Sequence, residues 1–483
     1  MAESEIDMRT YLLNPPSSND VKYIREGRCM QSKSSWATIW PPISLGILAS
    51  IARTKGEVRF LDCNVEEMNL TAVLKDVEEF DPDVAIINTA FPSIEFDMEA
   101  AAAIKGINQK INTVAFGVYF TLLEAEGVEP YEGLDFACYY EPDETINELL
   151  DAIKNGTGYS EIKGLVYREN GQIITNAQRP MIEDMDSLPV PARDLFRNER
   201  YLLPHNGKRF TLINVARGCP YPCTFCIANV YYGKPLRKHS VKYLMNEIRD
   251  CVKEHGIDHF LFWEEVFTLD KKFAFEMCDA IIDSGLGISW ATTTRADLLN
   301  RSLLEKMKEA NCEMLGLGIE SSNQEILDNV KKKCKVEDIE KGVRLCKEAG
   351  IRTMGHFIYG LPGETAETAA QTMEFAKSLD LDYIQTYSAV PYPKTELGEL
   401  ARKKNWVKSE RWADFDLTRS IMANDSLTPK EVNRLRDKSL RSFYFRPSLV
   451  LRQMKVITSF KHLLKSLNFL DWIFIKRRRR SQQ

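Results

Sequence analysis

Short apolar strands alternate with helical segments along most of this chain, and the alternation occurs in two separate runs. The first run, within residues 8–155, contains the strand-like strings RTYLLNPP, EVRFLDCN, VAIINTAF, NTVAFGVYF and DFACYY. Strands that alternate with helices predict a parallel sheet covered on both faces. The first run therefore predicts a doubly wound, Rossmann-like α/β domain, whose ligand lies beyond the carboxyl ends of the strands.

The second run has longer helices and six predicted strands. These strands lie at residues 211–218, 259–267, 288–295, 313–321, 352–360 and 383–390. Six β/α units are too few for a closed eight-stranded barrel, so they predict a partial (β/α)6 barrel of the TIM type with its chemistry at the carboxyl ends of the strands. The predicted units are a domain at 1–158, a hairpin and proline-rich linker at 159–205, the barrel at 206–400 and a mainly helical C-terminal region at 401–483.

Composition places the chain among ordinary globular proteins. Its 483 residues are 44% hydrophobic and 28% charged, which suits two or three packed domains and argues against disorder. The eleven cysteines are irregularly spaced, so they predict free thiols in a reducing compartment and no disulfide framework. No run is long enough to span a membrane and the N-terminus has no signal-peptide core, so a cytoplasmic location is expected.

Three cysteines directly after the first barrel strand carry the strongest chemical signal. Cys219, Cys223 and Cys226 lie in the string CPYPCTFC. Three thiolates leave a tetrahedral zinc ion one ligand short, but they can hold three irons of a four-iron cluster and leave the fourth iron open. Spacing alone leaves two alternatives open, namely a zinc knuckle and three unrelated thiols.

With Phe225 before the last cysteine, this segment resembles the cluster signature of the radical S-adenosylmethionine (SAM) superfamily. Strings that resemble the same family follow in order: WEE at 263–265, Arg295, GLGIES at 316–321 and HFIYGLPGET at 356–365. The resemblance implies that the three cysteines bind a [4Fe-4S] cluster. It also implies that an electron from this cluster cleaves SAM to give a 5′-deoxyadenosyl radical.

The resemblance further implies one SAM contact at each strand end. An acidic residue after the second strand, Glu264 or Glu265, would accept a hydrogen bond from the SAM amino group. Arg295 would pair with the SAM carboxylate in a charge-assisted contact. Glu320 would accept hydrogen bonds from the ribose hydroxyls.

Other candidate site residues lie around these contacts. Gly360 and Gly363 would let the backbone approach the adenine and sugar, and Phe225 would lie near the adenine face. His356, on the fifth strand, and Tyr387, near the end of the sixth, are candidates for a proton acceptor or a polar substrate contact. His356 is equally compatible with an ordinary hydrogen-bonded interior histidine.

The N-terminal domain resembles the cobalamin-binding domain that precedes the barrel in one radical SAM branch. The strings NPP, PPISLG, FLDCN and EPDETINEL carry this resemblance, and the branch includes C-methyltransferases and the anaerobic cyclase of bacteriochlorophyll synthesis. All six histidines follow this domain, which implies base-off cobalamin without a histidine ligand. Two strings depart from the pattern: FGVYFT departs from the usual glycine-rich form, and in PYPKTELG Lys394 replaces a glycine.

The C-terminus is a basic appendage on an acidic body. From residue 430 onward there are 15 Lys and Arg against three acids, and apolar residues recur at helical spacing among them. Such a helix can dock on an anionic membrane interface or pack with its basic face in solvent. No nucleic-acid recognition fold accompanies the basic run, so no specific nucleic-acid partner is expected.

Together these patterns predict a cobalamin-dependent radical SAM enzyme that modifies an unactivated carbon of a hydrophobic, lipid- or pigment-like substrate, with C-methylation favoured. The alternatives are radical oxidative cyclisation or hydroxylation, methylthiotransfer, and a non-catalytic cobalamin- or cluster-binding accessory protein. The resemblance implies an electron donor such as flavodoxin or ferredoxin. A peripheral contact with the inner face of the membrane is expected through the C-terminal region.

Overall fold

The computed structural model describes residues 8–17, 21–27, 29–32, 39–203 and 206–446. The strands of the N-terminal part are β1 (Met8–Asn14), β2 (Tyr23–Glu26), β3 (Cys29–Ser32), β4 (Gly56–Asp62), β5 (Val84–Asn88), β6 (Asn112–Phe116), β7 (Phe136–Cys138), β8 (Leu165–Glu169) and β9 (Gln172–Thr175). Its helices are α1 (Ile43–Arg53), α2 (Cys63–Glu66), α3 (Leu70–Phe80), α4 (Ile94–Ile107), α5 (Val118–Leu123), α6 (Ala125–Val128) and α7 (Asp143–Asn155).

Seven of these strands form one sheet, in the order β4-β1-β5-β6-β7-β8-β9. The first five run parallel, and β8 and β9 extend the sheet as an antiparallel hairpin. The central strand β5 is buried along its whole length, as expected for a parallel strand covered on both faces. The remaining pair, β2 and β3, forms a separate hairpin that the sequence pattern did not predict.

A second α/β unit follows. Its strands are β10 (Phe210–Asn214), β11 (Ala216–Arg217), β12 (Arg237–Lys238), β13 (His259–Trp263), β14 (Ser289–Thr294), β15 (Cys312–Glu320), β16 (Arg352–Tyr359) and β17 (Tyr383–Ser388). The helices are α8 (Ala228–Tyr231), α9 (Val241–His255), α10 (Lys271–Ser284), α11 (Arg301–Glu309), α12 (Gln324–Asn329), α13 (Val336–Glu348), α14 (Ala366–Ser378), α15 (Glu396–Lys403) and α16 (Pro429–Tyr444).

Six strands of this unit form a parallel sheet in chain order, β10-β13-β14-β15-β16-β17. Along β16, buried residues alternate with partly buried ones, because one face packs on helices and the other lines the interior of the partial barrel. Local signals fix the helices between the strands. For example, Ser240 caps the start of α9 through the backbone N–H of Tyr243, and Gly256 ends the helix in a left-handed conformation.

The predicted fold class is confirmed. The chain is an α/β protein with a doubly wound N-terminal sheet and a six-stranded partial barrel, followed by the helix α16. Residues 447–483, which carry the predicted membrane-docking helix, lie outside the described residues. Within the described part of the chain, no helix is long and apolar enough to cross a membrane.

Candidate active site at the mouth of the partial barrel

The three motif cysteines lie on one loop that leaves the first barrel strand. Gly218 starts this loop at a φ of +100°, where a Cβ would meet the carbonyl oxygen of Pro235 at 2.0 Å, so the tight turn requires glycine. Two backbone bonds hold the loop, from Cys219 N–H to the Gly233 oxygen (3.1 Å) and from Cys226 N–H to the Cys223 oxygen (3.1 Å).

These cysteines differ from the others in exposure. Cys219, Cys223 and Cys226 are partly exposed, whereas the other described cysteines, at 63, 138, 251, 278, 312, 334 and 346, are buried. No three His, Cys, Asp or Glu side chains among the described residues are placed to hold one shared metal ion. A four-iron cluster makes a different demand, because each thiolate binds a different iron. Three partly exposed cysteines on one loop that begins at a glycine turn fit that requirement.

A buried ion pair lies beside the cysteine loop. Lys332 donates to Glu320 over 2.8 Å, and the two side chains are only 7% and 8% exposed. Glu320 has a φ of +68° at a bulge that ends β15. Burial raises the pKa of the Cys223 thiol, while the positive charge of Lys332 opposes this rise. The pair therefore places a desolvated cation and a carboxylate next to the loop.

Glycines on β15 make room for this pair. A Cβ on Gly318 would lie 2.8 Å from both Glu320 Oε1 and Lys332 Nζ, and a Cβ on Gly316 would lie 2.9 Å from His356 Nε2. The absence of two side chains on one strand leaves space in the barrel interior, and the long polar side chains of neighbouring elements enter it. Lys332 is a site residue that sequence reasoning missed, because it stands in the run KKKCK with no distinguishing spacing.

Arg295 is committed to protein groups. Its Nε and Nη2 donate to the two carboxylate oxygens of Asp297 (3.0 and 2.9 Å), and Nη1 and Nη2 donate to the carbonyl oxygens of Lys332 and Lys333 (2.8 and 2.9 Å). The guanidinium also lies over the ring of Tyr221, 3.8 Å from its centroid. The guanidinium edge that could form a two-pronged contact is thus paired with Asp297. Through its bonds to the Lys332 backbone and its contact with Tyr221, Arg295 joins the Lys332 segment to the cysteine loop.

The two glutamates after β13 are in different environments. Glu264 is buried, and burial raises its pKa well above the ordinary value; its carboxylate accepts from the Thr292 hydroxyl at 3.4 Å. Glu265 is partly exposed. Of the pair, Glu265 is the one that a cofactor at the barrel mouth could reach without rearrangement.

The GLPGET loop after β16 is shaped by its glycines. Gly360 and Gly363 both have a φ of +87°. The side chain of Glu364 turns back and accepts from the Gly360 N–H at 2.5 Å, and burial raises its pKa to about 8. Phe225 packs in the same apolar cluster as Leu361 of this loop. The structure therefore brings the cysteine loop and the glycine loop together, as the resemblance implies.

A polar chain lies deeper in the barrel. His356 Nδ1 lies 3.2 Å from the hydroxyl of Tyr387, and that hydroxyl donates to the side-chain oxygen of Gln385. The His356, Tyr387 and Gln385 side chains therefore form one chain of polar contacts, in which the role of each His356 ring nitrogen depends on its tautomer. Gln385 is a member of this chain that the sequence reasoning did not identify, because glutamine on a strand carries no motif.

A Rossmann-like domain binds its ligand at the carboxyl edge of its sheet, and the part of this edge formed by β5 and β6 is covered. Every residue at positions 84–94 and 113–123 is buried. Phe91 and Tyr119, which follow β5 and β6, pack with Phe415 from beyond the barrel in one apolar cluster. As arranged, these residues do not fit a corrin against β5 and β6, because other side chains occupy that face.

The comparisons with known proteins agree with both halves of the fold. The model of the radical SAM superfamily matches residues 213–376, and that of the B12 binding domain matches residues 34–150. The uncharacterized methyltransferase PH0819 of Pyrococcus horikoshii is 32% identical over 92% of this chain and 95% of its own length. The anaerobic magnesium-protoporphyrin IX monomethyl ester cyclase of Rubrivivax gelatinosus is 27% identical over 81% of this chain and 72% of the cyclase.

A solved structure shows the same fold. The radical SAM methyltransferase TsrM of Kitasatospora setae, determined with cobalamin and a [4Fe-4S] cluster bound, superposes with a TM-score of 0.66 at 18% identity, covering 89% of this chain and 82% of TsrM. The same protein has been solved with tryptophan and a SAM analogue. The cysteine loop, the ordered strand-end motifs and the near full-length relative agree: this chain is an enzyme of the radical SAM superfamily, in the branch that carries a B12 binding domain ahead of the barrel.

Proposed function

We propose that this chain is a cobalamin-dependent radical SAM enzyme that modifies an unactivated carbon of a hydrophobic substrate, with C-methylation as the favoured outcome. The observation that carries the proposal is the juxtaposition of three partly exposed cysteines with the buried Lys332–Glu320 pair at the barrel mouth. Thiols suit iron, and a desolvated cation beside a carboxylate suits the charged and hydroxylated parts of SAM.

The cysteines Cys219, Cys223 and Cys226 would hold the cluster. A bound four-iron cluster supplies the electron that cleaves SAM to the 5′-deoxyadenosyl radical. Lys332 is our candidate for the SAM carboxylate, because it is desolvated and adjacent to Cys223, and Glu320 is our candidate for the ribose hydroxyls. Arg295 then acts as a positioning residue that holds the Lys332 segment against the cysteine loop.

The barrel interior would hold the substrate. Met314, Met354 and Ile358 are partly exposed residues of β15 and β16, and Met354 and Ile358 share a face of β16 with His356. Apolar side chains around a histidine acceptor fit a largely hydrophobic molecule with one hydroxyl, amide or acidic C–H group. The His356 ring would accept a hydrogen bond or a proton from that group, while its contact with Tyr387 fixes the orientation of the ring.

Two outcomes of the radical chemistry are open to this site. The relationship to a methyltransferase across nearly the whole chain favours methylation, with cobalamin as the methyl carrier. The relationship to the cyclase favours oxidation as the second candidate, in which the substrate radical would pass one electron to a one-electron acceptor and His356 would take up the proton that is released. Cobalamin dependence requires that the covered edge of the N-terminal sheet opens.

The cellular setting follows from the chemistry. Thiolate ligands and an oxygen-sensitive cluster require a reducing compartment, which supports the cytoplasm and an electron donor such as flavodoxin or ferredoxin. The basic segment beyond residue 446 would bring the enzyme to a membrane-borne substrate by electrostatic attraction.

Isotope transfer tests the proposal. The reconstituted enzyme would be supplied anaerobically with dithionite, hydroxocobalamin, trideuteromethyl-labelled SAM and a lipid-and-pigment extract of the source cells. Methylation predicts formation of 5′-deoxyadenosine together with a compound heavier by one trideuteromethyl group. Oxidation predicts 5′-deoxyadenosine with a product that lacks the label, and absence of 5′-deoxyadenosine contradicts both outcomes.

A further inference from the structure

One segment of the chain crosses the carboxyl edge of the N-terminal sheet. We define residues 411–421, which lie between α15 and α16, as the strap. Arg411 donates to the carboxylate of Glu95 on α4 at 2.9 Å, and the carboxylate of Asp416 accepts from the backbone N–H of Ser32 at 3.2 Å. The strap is thus fastened at one end to a helix of the N-terminal sheet and, further along, to the β2–β3 hairpin.

Aromatic side chains fill the space under the strap. Phe91, directly after β5, is surrounded by rings from three parts of the chain. Its ring centroid lies 5.1 Å from that of Tyr119, 5.4 Å from Tyr392, 5.8 Å from Trp412 and 5.9 Å from Phe415. Phe91 and Tyr119 are fully buried, so the two loops that follow β5 and β6 present no surface to a ligand in this arrangement.

The two places where the sequence departs from its family pattern meet at this edge. Lys394, which replaces a glycine, donates to the carbonyl oxygen of Thr121 at 2.9 Å and pairs with Glu124. Thr121 belongs to the FGVYFT string, which departs from the usual glycine-rich form. Lys394 has a φ of +60°, a conformation that glycine adopts without steric cost. A lysine at such a position is explained by its contact across the edge.

These contacts indicate that the protein's own side chains fill the place where the cofactor would bind. We propose that the strap and Lys394 close the corrin-binding edge of the N-terminal sheet, and that cobalamin binds only when they leave it. This inference rests on the cobalamin dependence in the proposed function. A site that is open in a fraction f of molecules shows an apparent Kd equal to the intrinsic Kd divided by f, so loosening the closure tightens the apparent affinity.

Equilibrium dialysis of hydroxocobalamin against the full-length, cluster-loaded protein tests the proposal. The variants are Lys394→Gly alone and Lys394→Gly combined with Trp412→Ala. Asn170→Gly is the control, because Asn170 also has a left-handed conformation (φ +51°) but lies exposed in the turn between β8 and β9. SAM affinity, measured in the same samples, reports whether each variant retains its fold.

The proposal predicts at least roughly tenfold tighter cobalamin binding by the double variant than by the native chain, a smaller gain from Lys394→Gly, and no gain from Asn170→Gly. If Trp412→Ala disrupts folding, the cobalamin affinity of Lys394→Gly compared with that of the native chain tests the proposal. Equal affinity of the native chain and the edge variants overturns the proposal, and so does absence of cobalamin binding in all of them. SAM cleavage without added cobalamin is a separate readout, whose loss would count against the radical SAM assignment and leave the closure untouched.

Discussion

Replacing Lys332 with methionine should destabilise the protein more than the same replacement of its neighbour Lys331, because Lys332 belongs to a buried ion pair and Lys331 to a half-exposed one. Lys332 donates to Glu320 at 2.8 Å, and both side chains are more than nine-tenths buried. Removing one partner leaves the other charge buried without compensation, which costs about 3–5 kcal/mol. The neighbouring pair Lys331–Glu396 is about half exposed, and losing such a pair costs about 0–1 kcal/mol. Lys332→Met should therefore destabilise the protein by at least about 2 kcal/mol more than Lys331→Met.

Urea denaturation of the three proteins, followed by circular dichroism, measures this difference. An unchanged dependence on urea concentration would show that the stability itself has changed and the unfolded state has not. The double variant Lys332→Met/Glu320→Gln should recover most of the loss, because no unpaired charge remains.

SAM affinity then separates structure from binding. If Lys332 and Glu320 hold the SAM carboxylate and ribose, the double variant should be nearly as stable as the native chain but bind SAM at least about tenfold more weakly, since a hydrogen bond to a charged group contributes about 1.5–3 kcal/mol. Lys332→Met behaving like Lys331→Met in both assays would refute the reasoning.

Three further outcomes are expected. Arg295→Lys should weaken SAM binding about as much as Arg295→Gln, because lysine cannot reproduce the two-pronged contact with Asp297; binding retained by the lysine variant, measured by equilibrium dialysis, would contradict this. His356→Gln should leave 5′-deoxyadenosine formation intact but lower product formation by about 10²-fold or more, the usual contribution of a positioned proton acceptor, and mass spectrometry of both compounds checks it. Burial raises the pKa of Glu364 to about 8, so the stability that this carboxyl contributes is complete below its unfolded pKa near 4.5 and is lost as pH rises through 8. The urea midpoint of the Glu364→Gln variant should therefore change less between pH 5 and pH 8 than that of the native chain. If the two midpoints change with pH in parallel, Glu364 is not a buried neutral carboxyl.

The architecture could be predicted from the sequence because its signals are local. Strand and helix periodicities distinguish two α/β units, and the glycines and cysteines at strand ends carry their own conformational and chemical constraints. The β2–β3 hairpin gave no such signal, because its strands are four residues each and contain Arg25 and Glu26, which are buried through long-range contacts.

The candidate site could be predicted only in part, for a similar reason. The cysteines and Glu320 stand in motifs, whereas Lys332 and Gln385 are recognised only by what the fold places beside them. The sequence predicts Arg295 at the end of the third barrel strand. Its pairing with Asp297, two residues away, could not be predicted, because a sequence motif does not show where side chains point. The closure by Lys394 depends on a contact between residues 273 positions apart, which periodicity cannot reveal.

Anaerobic reconstitution tests the central claim most directly. The native chain, loaded with iron and sulfide and reduced with dithionite, should bind about four irons through the three cysteines and convert SAM to 5′-deoxyadenosine. Cys223→Ala should lose both the bound iron and the cleavage, while Cys251→Ala, which alters a buried cysteine on α9, should keep both. A Cys223→Ala protein that retains its iron and still produces 5′-deoxyadenosine at the native rate would contradict the account.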